Sequence, residues 1–326
     1  MRKWSWILIL TSIILITASC GGADKTGLIP VTITLDWVPN TNHTGIFVAQ
    51  ANGYFREAGL DVKIVQPGEV YPEAAVAGGA SDFGISFQEA VTLARTDGAP
   101  LVSIAAVLQH NTSGFASPAA LGVKTPAGFE GLRYGAFGSP FEDPTLQVLM
   151  QSAGTDFSKL NIVNIGFDDP LALLATGRID LAWIFYGWQG IQAEQQGVPL
   201  NVVMMKDYFN IIPDYYTPVV ITSEDMIKNK PQVVRAFMKA LSRGYDYAIA
   251  HPDQSADLLL AAAPELDANL VKASQEWLTP YYQAEAPRWG EQKLSVWQGY
   301  IDWMTSHGIL SAPISADDAF TNAFLP

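Results

Sequence analysis

The stretch Ala77-Gly78-Gly79-Ala80-Ser81-Asp82-Phe83-Gly84-Ile85 returns in pattern as Ala175-Thr176-Gly177-Arg178-Ile179-Asp180-Leu181-Ala182-Trp183. Both read small-x-Gly-x-x-Asp-apolar-small-apolar. A glycine at the end of a helix-forming run supplies the left-handed residue that closes the helix. The apolar run after it is short and bounded by that turn, which is how a strand reads. One such helix-to-strand corner near residue 80 and a second near residue 180 predict two related α/β lobes. The echo alone speaks of architecture and is silent on a ligand.

Working outward, Val31-Thr32-Ile33-Thr34-Leu35 and Leu60-Asp61-Val62-Lys63-Ile64-Val65 alternate as strands do, and 101–109 is a continuous apolar run of the kind a buried parallel strand shows. Helices are expected over 45–52, 72–80 and 88–97. After residue 113 the pattern restarts, with strands at 132–135, 160–165, 179–184 and 200–205 and helices at 138–153 and 170–176. This alternation predicts βαβ units and mainly parallel sheets. A last strand at 218–222 is followed by helices at 231–250, 252–262, 268–279 and 290–307. That tail has no sheet of its own and is expected to pack on the first lobe. The chain would then cross between lobes twice, near 114–118 and near 216–219. The resulting division is a signal peptide 1–19, a lipidated tether 20–30, lobe 1 from 31–114 plus 217–326, and lobe 2 from 115–216. Two lobes joined by two crossovers form a clamp, with its binding cleft between them.

The 326 residues carry 49% hydrophobic and 16% charged side chains, which argues for a folded chain and against disorder. A formal net charge of −13 disfavours nucleic acid as a partner, because phosphate binding needs clustered Lys and Arg. Cys20 is the only cysteine, so no intrachain disulfide holds the fold. It closes a leader of Arg2 and Lys3, an apolar segment 7–16, and Thr17-Ala18-Ser19-Cys20-Gly21-Gly22. This resembles a bacterial lipobox, in which the leader is removed and the cysteine carries a diacylglycerol. The apolar segment is too short for a spanning helix. An ordinary secretory signal or an uncut anchor are the alternatives. The lone thiol, placed where acylation needs it, favours the lipoprotein, anchored on the outer face of the cell membrane.

Further motifs complete the picture. They are Leu35-Asp36-Trp37-Val38-Pro39-Asn40-Thr41-Asn42-His43-Thr44-Gly45, Gly53-Tyr54-Phe55-Arg56-Glu57-Ala58-Gly59-Leu60-Asp61-Val62, Asp82-Phe83-Gly84-Ile85-Ser86-Phe87-Gln88-Glu89, Gln109-His110-Asn111-Thr112-Ser113-Gly114, Trp183-Ile184-Phe185-Tyr186-Gly187-Trp188 and Ala286-Pro287-Arg288-Trp289-Gly290. In this order the set resembles the extracytoplasmic solute-binding proteins of ABC importers, in the branch related to fungal thiamine-pyrimidine synthase. The resemblance implies a two-lobe clamp of the periplasmic-binding-protein type (type II-like). It also implies ABC permease and ATPase subunits as partners, and a flat nitrogen heterocycle as ligand, either formylaminopyrimidine, a thiamine precursor, or riboflavin.

Such ligands want aromatic faces for stacking and a few fixed donors and acceptors at the rim. Residues at strand ends, which face the crevice of an open α/β sheet, supply both. The candidates are Trp37, Asn42, Gln88, Glu89, Asn111, Ser139, Glu142, Tyr186 and Trp188. Ser139 stands at a helix start and offers backbone N–H groups as well as a hydroxyl. Trp289, Trp297 and Trp303 are expected in the core.

The fungal relatives are enzymes that, as the resemblance implies, consume a protein histidine and use iron and a lysine-held pyridoxal phosphate. Here His43, His110, His251 and His307 show no metal-ligand spacing, no lysine stands in an evident Schiff-base context, and Cys20 is reserved for acylation. The expectation is a binding protein without cofactor or metal. A pyrimidine synthase-like enzyme is the distant alternative. The run Phe87-Gln88-Glu89-Ala90 lacks the second acid that thiamine-precursor binders of this branch tend to carry, which tilts the ligand slightly toward riboflavin.

Overall fold

In the computed structural model, residues 27–68, 70–166 and 168–326 are described. The signal peptide, Cys20 and most of the tether lie outside the described residues. Strands β1 (Ile29–Thr34), β2 (Leu60–Val65), β3 (Phe83–Ser86) and β4 (Leu101–Ala106) come first. They are followed by β5 (Ser113–Pro118), β6 (Arg133–Ala136), β7 (Asn161–Asn164), β8 (Leu181–Phe185), β9 (Leu200–Met204) and β10 (Val219–Ser223). They form two five-stranded sheets, ordered β2-β1-β3-β10-β4 and β7-β6-β8-β5-β9. The orders are equivalent. Each sheet takes one antiparallel strand beside a parallel core, β10 in the first and β5 in the second. These are the strands that follow the two passages of the chain between sheets. The first passage lies in 107–112, a few residues before the place the sequence pattern marked, because Ser113–Pro118 is already strand β5.

The repeated corner has a physical reason. Gly79 and Gly177 both take left-handed backbone angles, φ 74° and 65°. The aspartate three residues on then ties its strand to a parallel neighbour, β3 to β1 and β8 to β6, in the same way in both lobes. Asp82 N–H donates to the Thr32 carbonyl (3.0 Å) and its Oδ2 accepts from Thr32 N–H (2.9 Å). Asp180 N–H donates to the Arg133 carbonyl (2.8 Å) and its Oδ2 accepts from Arg133 N–H (3.0 Å). The main chains of β1 and β3, and those of β6 and β8, are thus each registered by one side chain.

The helices are α1 (Thr44–Ala51), α2 (Tyr54–Glu57), α3 (Pro72–Ala77) and α4 (Gln88–Thr96) in the first part. α5 (Glu142–Ser152), α6 (Pro170–Ala175) and α7 (Ile191–Gln195) lie between the strands of the second sheet. The tail holds α8 (Glu224–Asn229), α9 (Pro231–Ala250), α10 (Pro252–Ala262), α11 (Ala268–Gln283), α12 (Leu294–Ser306) and α13 (Ala316–Ala319). Helix α9 buries one face, including Val234, Phe237, Leu241 and Tyr245, against the first sheet. Phe237 stacks on Phe83 with ring centroids 3.8 Å apart. Most of the tail packs on the first lobe as expected, but α12 does not do so alone. Trp297 and Ile301 join a cluster with Leu101, Val219 and Ile221 of the first sheet, whereas Tyr300, Trp303 and Met304 join Phe115 and Tyr134 of the second and Tyr215 of the second passage. Trp289, Trp297 and Trp303 are buried, in line with a core role. No helix among the described residues is long and apolar enough to cross a membrane.

Candidate functional site

The loops that leave β1, β3, β6, β7 and β8 meet at a cleft of about 360 Å³ between the two sheets. These are the carboxyl ends of the parallel strands, where crevices of α/β sheets form. The walls are aromatic. Trp37, Tyr71 and Phe87 come from the first lobe and Phe137, Phe141, Trp183, Phe185 and Trp188 from the second. Phe87 and Phe185 stack across the lobes, centroids 6.0 Å apart and planes 15° from parallel. Trp183 is held edge-on by Phe141 at 6.0 Å, and its indole N–H donates to Ser113 Oγ at 2.8 Å.

The charged groups on the lining are all acids. Asp36, Glu73 and Asp168 line the cleft, and no Lys, Arg or His is among its described lining residues. Asp36 is oriented from behind by the buried His43. His43 Nδ1 accepts from Asn40 N–H (3.2 Å), so the ring proton sits on Nε2, which donates to Asp36 Oδ1 (2.6 Å). Glu73 accepts from the Ser86 hydroxyl, and burial together with the nearby Asp36 charge pushes its carboxyl up, against that bond.

Glu89 stands one layer deeper, in a side chamber of about 30 Å³ that shares Phe87, Phe137, Phe141, Trp183 and Phe185 with the cleft. Burial pushes its carboxyl up to about 8, and its Oε2 has no hydrogen-bond partner in the protein. A carboxyl so placed is an acceptor for an N–H group, or a proton donor when neutral.

Of the candidates read from sequence, Trp37, Asn42, Ser139 and Trp188 line the cleft and Glu89 lines the side chamber. The other four lie elsewhere. Gln88 faces away from the cleft and clamps the second passage: its N–H donates to the Tyr216 carbonyl and its Oε1 accepts from Tyr216 N–H (2.9 Å). Asn111 braces the first passage, its Oδ1 accepting from Ser113 N–H and Oγ (2.7 and 2.6 Å). Tyr186 points to the opposite side of β8, where its hydroxyl donates to Glu194 and its ring packs on Trp277; the Glu194 bond leads the causes that push the phenol up to about 12. Glu142 is buried behind the loop that precedes α5. After Phe185 the chain makes one π-helical turn, Tyr186–Gly190, which swings Trp188 and Gln189 back to the cleft. The lining residues that sequence reading did not single out are mainly Asp36, Glu73, Phe137 and Phe141. Asp168 also lines the cleft.

The fold and the cleft define a two-lobe periplasmic-binding-protein clamp. Among solved structures, the alkanesulfonate-binding protein SsuA from Xanthomonas axonopodis pv. citri, bound to MOPS, superposes with a TM-score of 0.67 at 15% identity, over 90% of this chain and 98% of that one. The chain belongs to the NMT1/THI5-like family, which it matches over residues 40–255. The formylaminopyrimidine-binding protein of Halalkalibacterium halodurans is 31% identical over 99% of both chains. The riboflavin-binding protein RibY of Chloroflexus aurantiacus is 26% identical over 91% of this chain and 86% of its own. The 4-amino-5-hydroxymethyl-2-methylpyrimidine phosphate synthase of Legionella pneumophila is 24% identical over 91% and 92%.

Proposed function

We propose that this chain is the solute-binding lipoprotein of an ABC importer and that it captures a flat, N–H-rich nitrogen heterocycle, best fitted by the aminopyrimidine precursor of thiamine. The observation that carries this is the cleft itself, with aromatic faces on both lobes and, among its described lining residues, carboxylates as the charged groups. Aromatic faces stack on a planar ring. A carboxylate accepts from an exocyclic amine, and two of them near one ring favour a basic ligand over an acidic one. The tilt toward riboflavin rested on the missing acid after Glu89. Helix α3 supplies a second carboxylate from elsewhere, Glu73, which removes that reason. Riboflavin remains the second reading, favoured by the size of the cleft, which is within the range that holds multi-ring ligands.

A binding role, rather than catalysis, is supported by the binding-protein relatives. Ligand bridging the two aromatic walls would favour the closed clamp, which a membrane permease with its ATPases would then recognise. Cys20 would tether the clamp to the outer face of the membrane.

The test is a titration of the domain, truncated after Cys20, with formylaminopyrimidine and with riboflavin, read by tryptophan fluorescence and by flavin emission. A saturating tryptophan response to the pyrimidine is expected. Quenched flavin emission at stoichiometric protein would transfer the assignment to riboflavin, and silence from both would reject the heterocycle reading.

A further inference from the structure

Residues Phe137, Gly138 and Ser139 form the loop between β6 and α5, and all three line the cleft. Three consecutive backbone N–H groups next to a helix N-terminus make an anion-binding concavity, the arrangement that holds phosphate or sulfonate oxygens in many proteins. In this chain the concavity is filled from within. Glu142, at the first position of the eleven-residue α5, turns back and accepts from Gly138 N–H and Ser139 N–H on Oε1, both at 2.7 Å. Its Oε2 accepts from Phe137 N–H (3.2 Å) and from the Tyr134 hydroxyl (2.6 Å). The side chain is 1% exposed. Four donors converge on one buried carboxylate, so the backbone N–H groups of Phe137, Gly138 and Ser139 are all taken.

We propose that Glu142 is a specificity-determining residue. It occupies the loop's N–H cradle in place of a ligand's anionic group, so that the cleft takes an uncharged heterocyclic alcohol or amine and rejects the phosphate ester of the same ring. The rest of the lining points the same way. Asp36, Glu73 and Asp168 face the cleft, and no Lys or Arg is among its described lining residues. A phosphate arriving at the loop would meet occupied donors and an uncompensated negative charge. This inference rests on the heterocycle reading for the ring, but the cradle is independent of which ring it is.

The experiment compares two alcohol–ester pairs by isothermal titration with the truncated domain: riboflavin with its 5′-phosphate, and 4-amino-5-hydroxymethyl-2-methylpyrimidine with its phosphate. The wild type is expected to prefer the alcohol of the pair it binds by about a hundredfold. Glu142→Ala empties the cradle, and Glu142→Gln keeps its shape while removing the charge. Each is expected to narrow that preference by about tenfold or more, the worth of charge-assisted hydrogen bonds. Circular dichroism identifies the folded variants, and Gln stands in if Ala does not fold. Asp168→Asn removes a cleft charge without touching the cradle and is expected to narrow the preference less. The proposal is overturned if the wild type binds ester and alcohol equally, if the folded Glu142 variants keep the full preference, or if Asp168→Asn narrows it as much. If neither alcohol binds, the heterocycle reading is judged by the formylaminopyrimidine titration alone. Inorganic sulfate then decides the cradle: binding by Glu142→Ala but not by wild type supports it, and binding by neither overturns it.

Discussion

At the residue scale, Glu89 makes the stability of the domain depend on pH. Its native carboxyl titrates near 8 against an ordinary value of 4.5, so between those two pH values the folded protein holds a proton that the unfolded chain has released. Stability must therefore fall as pH rises through that window. Glu89→Gln is expected to flatten the melting temperature between pH 5 and pH 8 and to raise it at the upper end; an unchanged slope would reject the assignment. Trp37→Ala is expected to weaken ligand binding by about 1–3 kcal/mol, the usual loss for an aromatic anchor, and Tyr186→Ala to weaken it several-fold less, both read by titration. That contrast marks what sequence could and could not disclose. Phe185 ends β8 and Phe87 directly follows β3, and both line the cleft. The next residue begins a helical turn and rotates away, so Gln88 and Tyr186, one position further on, face the protein instead. Glu73 was illegible for another reason: it reaches the cleft through the placement of α3, and nothing local to its sequence announces that.

At the element scale, α1 and α9 pack closer than side chains normally permit. A Cβ on Gly244 would overlap the Gly45 carbonyl oxygen, and one on Gly45 would enter the Tyr245 ring. Gly244→Ala is expected to cost about 1–3 kcal/mol in urea unfolding, as overpacking does, while leaving ligand affinity near wild type, since neither glycine lines the cleft. Loss of affinity without loss of stability would contradict this. The regular elements were well marked in the sequence by alternation and by caps. Strand β5 was not. Ser113-Gly114-Phe115-Ala116-Ser117-Pro118 lacks the β-branched residues that announce a strand, and its small residues have a tertiary cause: a Cβ on Gly114 would lie 2.7 Å from the Val203 carbonyl oxygen of β9. The strand belongs to the sheet because its neighbours fix it there.

At the scale of the whole molecule, three segments meet behind the cleft in one charge cluster. His110, on the first passage, donates from Nδ1 to Asp214 (2.6 Å) on the second and from Nε2 to Glu285 (2.9 Å), which also pairs with Lys293 (2.8 Å) just before α12. The Asp214 bond, with Glu285, raises the imidazole to about 9 from 6.5. A base raised on folding contributes stability that is complete below 6.5 and is lost as pH climbs through 9. His110→Gln should therefore lower the melting temperature at pH 6 and leave it nearly unchanged at pH 10; equal losses at both would assign the residue a packing role alone. The two-lobe plan was legible from the repeated Gly-x-x-Asp corner, because a short motif there fixes a strand register. The straddling of α12 was not, because its amphipathic pattern cannot say that its two apolar edges belong to different cores. That straddling sets the order in which the molecule can be made. Tyr300 lies against Tyr215 with ring centroids 4.3 Å apart, so the second lobe, whose strands end at residue 204, cannot complete its interior until a helix ending at residue 306 has arrived. A chain ending before residue 294 would therefore leave Phe115, Tyr134 and Tyr215 without the helix that covers them, however complete its second sheet.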